Sequence, residues 1–219
     1  MERGWPGVID TVWFENEAGE IFRPADYGII LKSYDAPLPA PKINRVTLEG
    51  MDGDVDMTEW AGEVRYNTRS VTAAFRDMSG EEYKKLMNFA CGQKVKLTNS
   101  AAPDYYFTGR CERADAKIRR RIADVTLQFV CDPYMLRHTE TSVIKTFTDS
   151  ADILLMAERK SAIPKITVSE DCVIRYGNIS ASLRAGTYTV QNLIITNRPE
   201  TLHVTGSGTI KIVWRDGVL

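Results

Sequence analysis

The sequence lacks any long apolar run. The longest, Ile153-Leu154-Leu155-Met156-Ala157, falls far short of the roughly 20 residues that cross a bilayer as a helix. The opening residues MERGWPGVID contain neither the basic segment nor the apolar stretch and small-residue cleavage site of a secretory signal. We therefore expect no membrane association, and a chain that folds in the cytosol of the cell that makes it.

Histidine and cysteine are scarce. Two histidines, His138 and His203, and four cysteines, Cys91, Cys111, Cys131 and Cys172, are spread along the chain without a C-x-x-C pair. A structural zinc site needs four such ligands at short spacings, so the sequence predicts no metal site and no cofactor. We interpret the cysteines as small, buried, reduced apolar residues.

Catalytic motifs are also missing. The chain contains no G-x-S-x-G, no G-x-x-x-x-G-K-[ST] and no H-E-x-x-H. A pair of carboxylates for glycoside hydrolysis would meet only in the fold, so that alternative stays open at this point. We expect a protein that is not an enzyme and assign no catalytic, cofactor-binding or metal-binding residue.

An excess of charge of one sign is absent as well. The 28 basic and 29 acidic side chains give a net charge of −1, which provides no overall field for nucleic acid or an anionic membrane. One dense basic cluster stands out, formed by Lys117, Arg119, Arg120 and Arg121. Phosphate binding and a protein interface are the alternatives, and we favour an interface at the tip of a β-hairpin.

What the sequence does contain is a series of short segments rich in β-branched and aromatic residues, separated by turn signals, as in antiparallel sandwiches and barrels. In the most regular of them Val125, Leu127 and Phe129 alternate with polar residues, which predicts a strand with one buried face. A change of parity in another predicts a bend near Asn67-Thr68. The expected strands of this part are 27–34, 43–49, 63–76, 94–99, 105–112 and 118–130.

One segment has helical features instead. Ser79 and Glu82 form a capping box, and Gly92 supplies a left-handed stop after Cys91. The sequence therefore predicts a helix over residues 80–91. Its apolar stripe, which we expect to pack in the core, consists of Tyr83, Leu86, Met87 and Ala90.

An acidic loop, Asp52-Gly53-Asp54-Val55-Asp56-Met57-Thr58 with Glu63 after it, has four carboxylates at the spacing of a calcium loop. However, Met57 stands where the sharp turn needs glycine, and the flanks are typical of strands rather than helices. We expect a structural loop in which Asp side chains bond to nearby backbone groups.

The second part of the chain begins after Pro133. A polar connection over 137–142 leads to further strands, and Gly177-Asn178, Gly186, Asn197-Arg198-Pro199 and Gly206-Ser207-Gly208 predict narrow hairpins. We expect two domains, 1–136 and 137–219. The alternative is that segment 144–156 pairs with the first sheet and makes one continuous core.

Several stretches taken together resemble phage distal tail (Dit-like) proteins. The likeness covers nearly the whole chain in order, and the stretches that carry it are Asp26-Tyr27-Gly28-Ile29, Glu49-Gly50-Met51-Asp52-Gly53-Asp54-Val55-Asp56-Met57-Thr58, Tyr66-Asn67-Thr68-Arg69, Phe129-Val130-Cys131-Asp132-Pro133-Tyr134 and Gly208-Thr209-Ile210-Lys211-Ile212-Val213-Trp214-Arg215-Asp216-Gly217-Val218-Leu219.

The resemblance implies a mainly β protein with an N-terminal sandwich-like or barrel-like domain carrying one α-helix, and a C-terminal galectin-like β-sandwich. It also implies a structural tail protein that forms a ring of six copies at the tail tip of the virion. Such a ring would join the tail tube protein to the tail-tip hub or tail-associated lysin, and DNA would pass through its lumen without sequence-specific contacts.

Two other functions compete with this one. A galectin-like sandwich can serve as a carbohydrate-binding module that uses aromatic side chains as platforms, and Tyr176, Tyr188 and Trp214 are the aromatic residues after Pro164. Because alternate positions of a strand face inwards, we expect some of these three to be buried. A tail tube subunit would share both the β character and the ring.

Overall fold

The computed structural model describes residues 10–60 and 62–219, and it is mainly β with a single α-helix in that part of the chain. This confirms the predicted fold class. The chain divides into two compact units, the first ending at Met135 and the second spanning Leu136–Val218. Whether either unit folds alone stays a prediction.

The first unit is built around one antiparallel sheet. Seven strands pair in the order β2-β1-β7-β8-β9-β6-β3. A separate two-stranded sheet is formed by β4 and β5. The strands, with a short 3₁₀ helix at Pro24–Tyr27, are β1 (Val12–Asn16), β2 (Ile21–Phe22), β3 (Ile30–Asp35), β4 (Arg45–Thr47), β5 (Asp54–Asp56), β6 (Arg69–Ser79), β7 (Lys94–Asn99), β8 (Tyr105–Arg119), β9 (Ile122–Cys131) and β10 (Met135–Arg137), which spans the boundary between the units.

The core of this unit lies on one face of the sheet. Phe14 stacks on Phe129 with ring centroids 5.5 Å apart and meets Phe75 edge-on at 6.4 Å. Val125 and Leu127 are buried on the same side as Phe129, so the predicted alternation of β9 is confirmed. Aromatic pairs of this kind add about 0.5–1.5 kcal/mol each beyond the apolar area they bury.

The helix α1 (Gly80–Ala90) confirms the prediction from the capping box. The Ser79 side chain accepts a hydrogen bond from the Glu82 backbone N–H, and the Glu82 carboxylate accepts one from the Ser79 N–H. Gly92 has a φ of 73°, as the left-handed stop requires. Leu86 and Ala90 are fully buried, and Tyr83 and Met87 pack partly buried against the same core.

Several predicted strands of the first unit were wrong in their bounds. Strand 105–112 extends to Arg119 as β8, and strand 118–130 begins only at Ile122 as β9. Strand 63–76 begins only at Arg69, because the backbone of residues 65–67 bonds to residues 40–42 instead of joining the sheet. The register irregularity lies between Phe75 and Met78, where Asp77 has a φ of 56°, and not near Asn67-Thr68. Strand 27–34 begins only at Ile30, since the 3₁₀ helix and its left-handed stop at Gly28 precede it.

The interpretation of the cysteines holds for three of the four. All four thiols are free, and Cys111, Cys131 and Cys172 are buried. Burial raises the pKa of Cys111 to about 11 and that of Cys131 to about 12, so both stay protonated and unreactive at neutral pH. Cys91 is exposed, because it follows the inward-facing Ala90 and lies beyond the buried stripe of α1.

The second unit consists of two four-stranded antiparallel sheets. One has the order β11-β18-β13-β16 and the other β12-β17-β14-β15. Their inward residues, among them Ile166, Ile212, Ile174 and Leu202, form one buried cluster, so the unit is a β-sandwich. Its galectin-like character stays a prediction. The strands are β11 (Thr141–Phe147), β12 (Ser150–Leu155), β13 (Lys165–Val168), β14 (Cys172–Tyr176), β15 (Ile179–Leu183), β16 (Gly186–Thr189), β17 (Glu200–Gly206), β18 (Gly208–Trp214) and β19 (Gly217–Val218).

The connectivity of the sandwich tests where segment 144–156 pairs and whether the predicted hairpins form. Segment 144–156 pairs within this unit, β11 with β18 and β12 with β17, so its pairing with the first sheet is ruled out. The turn at Gly177 joins a true hairpin, β14 to β15. The hairpins predicted at Gly186, at Asn197-Arg198-Pro199 and at Gly206-Ser207-Gly208 were wrong. These connections lead from β15 to β16, from β16 to β17 and from β17 to β18, and each joins strands of different sheets. Gly206 and Gly208 have φ near 130°, which lets the chain cross between the sheets.

Candidate assembly interface

Residues 36–68 form a long segment that connects β3 to β6, and we call this segment the arm. It leaves the sheet after β3 and returns at the start of β6, and these strands are neighbours, with Asp35 paired to Thr72. The arm therefore begins and ends at one point of the sheet edge. From residue 40 to residue 60 none of its residues is buried.

The arm is an irregular antiparallel ladder. Near its base the Lys42 N–H donates to the Arg65 carbonyl at 2.7 Å, and the Asn67 N–H donates to the Ala40 carbonyl at 2.9 Å. Further out β4 pairs with β5, with Val46 opposite Val55. Prolines at 37, 39 and 41 fix φ along the outgoing side, which stiffens a segment that has little core of its own.

The acidic loop begins in the turn between β4 and β5, continues through β5 and ends just after it. Asp54 accepts a hydrogen bond from the Thr47 hydroxyl at 2.7 Å, and Asp56 accepts one from the Thr58 backbone N–H at 2.9 Å. The expectation that an Asp side chain bonds to the nearby backbone is confirmed for Asp56. Hydrogen bonds from the Thr58 hydroxyl and from the Thr58 backbone N–H lower the pKa of Asp56. Among the described residues no group of three or more His, Cys, Asp or Glu side chains is placed to hold a metal ion.

The arm also exposes apolar side chains. Leu38 is 75% exposed and Trp60 72%. Exposed apolar side chains concentrated in one segment are typical of a surface that binds a partner, whereas singly scattered ones are ordinary. Five other large apolar side chains of the arm are between 39% and 56% exposed, namely Ile43, Val46, Leu48, Met51 and Met57.

A buried arginine holds the base of the arm. Arg69 is only 5% exposed, and its guanidinium donates to the Ala36 carbonyl at 2.8 Å and the Pro133 carbonyl at 3.3 Å. It also lies 4.7 Å from the centre of the Phe107 ring. Burial lowers the pKa of Arg69 from its ordinary value, yet an arginine remains charged at any physiological pH. Arg69 thus joins both ends of the arm to the end of the first unit.

The basic cluster lies where the sequence predicted, at a hairpin tip. Lys117 and Arg119 end β8, and Arg120, with a φ of 53°, makes the turn into β9 with Arg121. Arg119 faces Asp124 at 3.6 Å. Lys117, Arg120 and Arg121 form no ion pair within the described part of the chain. We call residues 117–122 the basic tip, and its two isoleucines, Ile118 and Ile122, are 67% and 43% exposed.

In the second unit the structure brings together one pair that the sequence did not indicate. The Nδ1 of His203 lies 2.5 Å from an Asp152 carboxylate oxygen, on neighbouring strands β17 and β12. Both side chains are largely exposed. His138 lies between β10 and β11.

The candidate sugar platforms of the sandwich are mostly inside it. Tyr176 and Trp214 are buried, as we expected for some of the three, and Tyr188 packs partly buried against the same core. Buried rings offer no face for a sugar to stack on. No helix in the described residues is long and apolar enough to cross a membrane.

Sequence reasoning missed both the arm and its anchor. The sequence predicts ordinary strands over 43–49 and 63–76, and Arg69 enters only as the end of a motif that carries the family resemblance. The signal that could have revealed the arm is the proline at every second position from 37 to 41, followed by apolar residues mixed with acids. Nothing local marks Arg69 as buried, because its partners lie 33 and 64 positions away in the chain.

No protein-family model matches the sequence, and no curated protein matches it either. Among solved structures, the SPP1 Dit protein aligns with a TM-score of 0.64 and 15% sequence identity, over 95% of this chain and 99% of that one. The chain has the fold of a phage distal tail protein. That neighbour was described as a paradigm of hub adsorption apparatus in Gram-positive infecting phages. The resemblance inferred from the motifs is thus confirmed at the level of the distal tail fold.

Chains of the phage P2 baseplate in its activated conformation are also similar, one structure with Ca and one with Sr. Each aligns with a TM-score of 0.49, at 6% and 7% identity, over 95% and 94% of this chain and 98% of the other. The distal tail fold is assigned from the similarity to the SPP1 Dit protein.

Proposed function

We propose that this chain is a structural subunit of a phage or prophage tail that forms a closed ring at the distal end of the tail. The observation that carries the proposal is the match in fold to SPP1 Dit over nearly the full length of both chains. A second support is the arm, whose exposed apolar side chains need a partner surface.

The ring is expected to contain six copies and to connect the tail tube to the tail-tip hub or a tail-associated lysin. Each subunit presents one surface patch to a different patch of the next, because only such a heterologous contact closes into a ring. The net charge of −1 suits a lumen through which DNA passes without being held. No residue takes a catalytic role in this account.

Negative-stain imaging of the purified full-length chain tests the proposal. We expect ring-shaped particles with a central opening. Long stacked tubes formed by the chain alone would instead indicate a tail tube subunit. Uniformly compact single chains at every concentration would contradict the ring.

A further inference from the structure

Residues 46–60, which we call the arm tip, are rich in acids. They contain five carboxylates and no base, and Arg45 and Arg65 are the nearest bases on either side in the chain. Glu49, Asp52 and Glu59 form no ion pair within the described part of the chain, and all three are exposed. Each of these three acids is next in the chain to an exposed apolar side chain, those of Leu48, Met51 and Trp60. The arm tip therefore exposes apolar side chains beside carboxylates that form no ion pair within the described residues.

The basic tip has the opposite charge and the same apolar character. Four cations stand within five residues, and the isoleucine between them, Ile118, is more exposed than Ile122 beyond them. Nucleic acid does not account for this combination, because a phosphate backbone makes no use of exposed isoleucines and acids flank the cluster at Asp115 and Asp124. A protein surface that is both acidic and apolar would pair with the cations and also cover the exposed isoleucines.

Protein interfaces combine an apolar centre with a charged rim, and opposite charges on the two sides fix the register of the contact. The arm tip and the basic tip meet this description on the two sides of one contact. They are different patches of the same chain, so a contact between them in successive copies is heterologous and repeats from subunit to subunit. It is the kind of contact that a ring requires.

We propose that the acidic arm tip of one copy packs on the basic β8–β9 tip of the next copy. The inference rests on the proposed ring and specifies which two surfaces form its interface. Leu48, Met51 and Trp60 would cover Ile118 and Ile122, while the unpaired acids around them face Lys117, Arg120 and Arg121.

Charge reversal on each side gives a sharp test. The arm variant is Asp52→Lys with Glu59→Lys, and the tip variant is Lys117→Glu with Arg121→Glu. These residues make no ion pair in the described chain, so the fold should survive, and circular dichroism checks that it does. Each variant alone sets like charges against each other, and we expect the concentration for half-assembly to rise about tenfold or more.

Mixing the two variants is the decisive step. In an equimolar mixture the reversed arm of one meets the reversed tip of the other, and the remaining native arm meets the native tip. We expect the mixture to assemble as the native chain does, with the two variants alternating around the ring. Matched controls, Glu17→Lys in the β1–β2 turn and Lys84→Glu on α1, should each assemble alone at the native concentration.

The outcomes separate this inference from the proposed function. A native chain that stays monomeric contradicts both. A native chain that forms rings, with either variant assembling alone at the native concentration or with a mixture that fails to recover, overturns only the contact between arm and tip. A tip variant that assembles normally but loses affinity for a labelled DNA duplex would assign the basic tip to nucleic acid instead.

Discussion

At the scale of single residues, two buried charged side chains hold irregular parts of the fold. Arg69 fastens the base of the arm through two backbone carbonyls. Asp216, which is 4% exposed, joins separate segments of the sandwich through hydrogen bonds. Its carboxylate accepts from Trp214 Nε1 at 3.0 Å, from the Glu158 N–H at 3.2 Å and from the Thr141 hydroxyl. A buried charge with several donors or acceptors is costly to truncate, because its partners lose their bonds as well.

We expect Arg69→Leu to lower the free energy of unfolding by about 1–3 kcal/mol, since two carbonyls lose their donor while the cost of burying a charge is relieved. Urea unfolding measures this. Trypsin should also cut faster within the arm, at Lys42, Arg45 and Arg65, because its base is loosened. Arg76→Leu on the same strand is exposed and serves as the control. An Arg69→Leu protein with native stability and native cleavage would contradict the anchoring role.

Asp216→Ala should destabilise the sandwich by roughly 2–4 kcal/mol, because a buried indole N–H, a hydroxyl and a backbone N–H lose their acceptor at once. Urea unfolding of the full-length chain measures this. Asp152→Ala removes an exposed carboxylate and should change stability by no more than about 1 kcal/mol. Equal effects of the two substitutions would show that the bonds to Asp216 contribute little.

At the scale of elements, the acidic loop is a hairpin tip in which Asp54 and Asp56 already bond to the chain. We therefore expect calorimetric titration with calcium to reveal no tight site. The physical reason is that the short β4–β5 pair lacks the flanking helices and the glycine that a calcium loop needs. A micromolar dissociation constant that Asp54→Ala abolishes would reverse this interpretation.

The elements that the sequence predicted well are those with local signals. The helix α1 follows from Ser79 and Glu82 at its start and Gly92 after its end, each of which acts on backbone groups close to it in the chain. The buried face of β9 follows from strict alternation. Such signals need no knowledge of distant partners, so they are readable without a structure.

The elements that the sequence missed depend on distant partners. The sheet begins at Arg69 and not at Glu63 because residues 65–67 pair with 40–42, a contact that no local pattern encodes. Likewise, Gly206 and Gly208 have the composition of a hairpin turn but connect two different sheets. Of the candidate interface, the basic tip was predictable from its run of charge, whereas the arm required the structure.

At the scale of the whole molecule, the two units have separate cores. We expect residues 1–136 expressed alone to fold and still to form rings, because the arm and the basic tip both lie in the first unit. Circular dichroism and imaging of this fragment provide the measurement. A folded but monomeric fragment would place ring closure in the second unit, and an unfolded fragment would show that the chain folds as one domain.

The central claim is that copies of this chain close into a ring, and the mass of the purified full-length protein in solution tests it most directly. Mass photometry over a range of concentrations should reveal a discrete species at six times the 24.6 kDa mass of the chain, without a continuous series of larger ones. A single species at the mass of one chain, persisting to the highest concentration, would contradict the account.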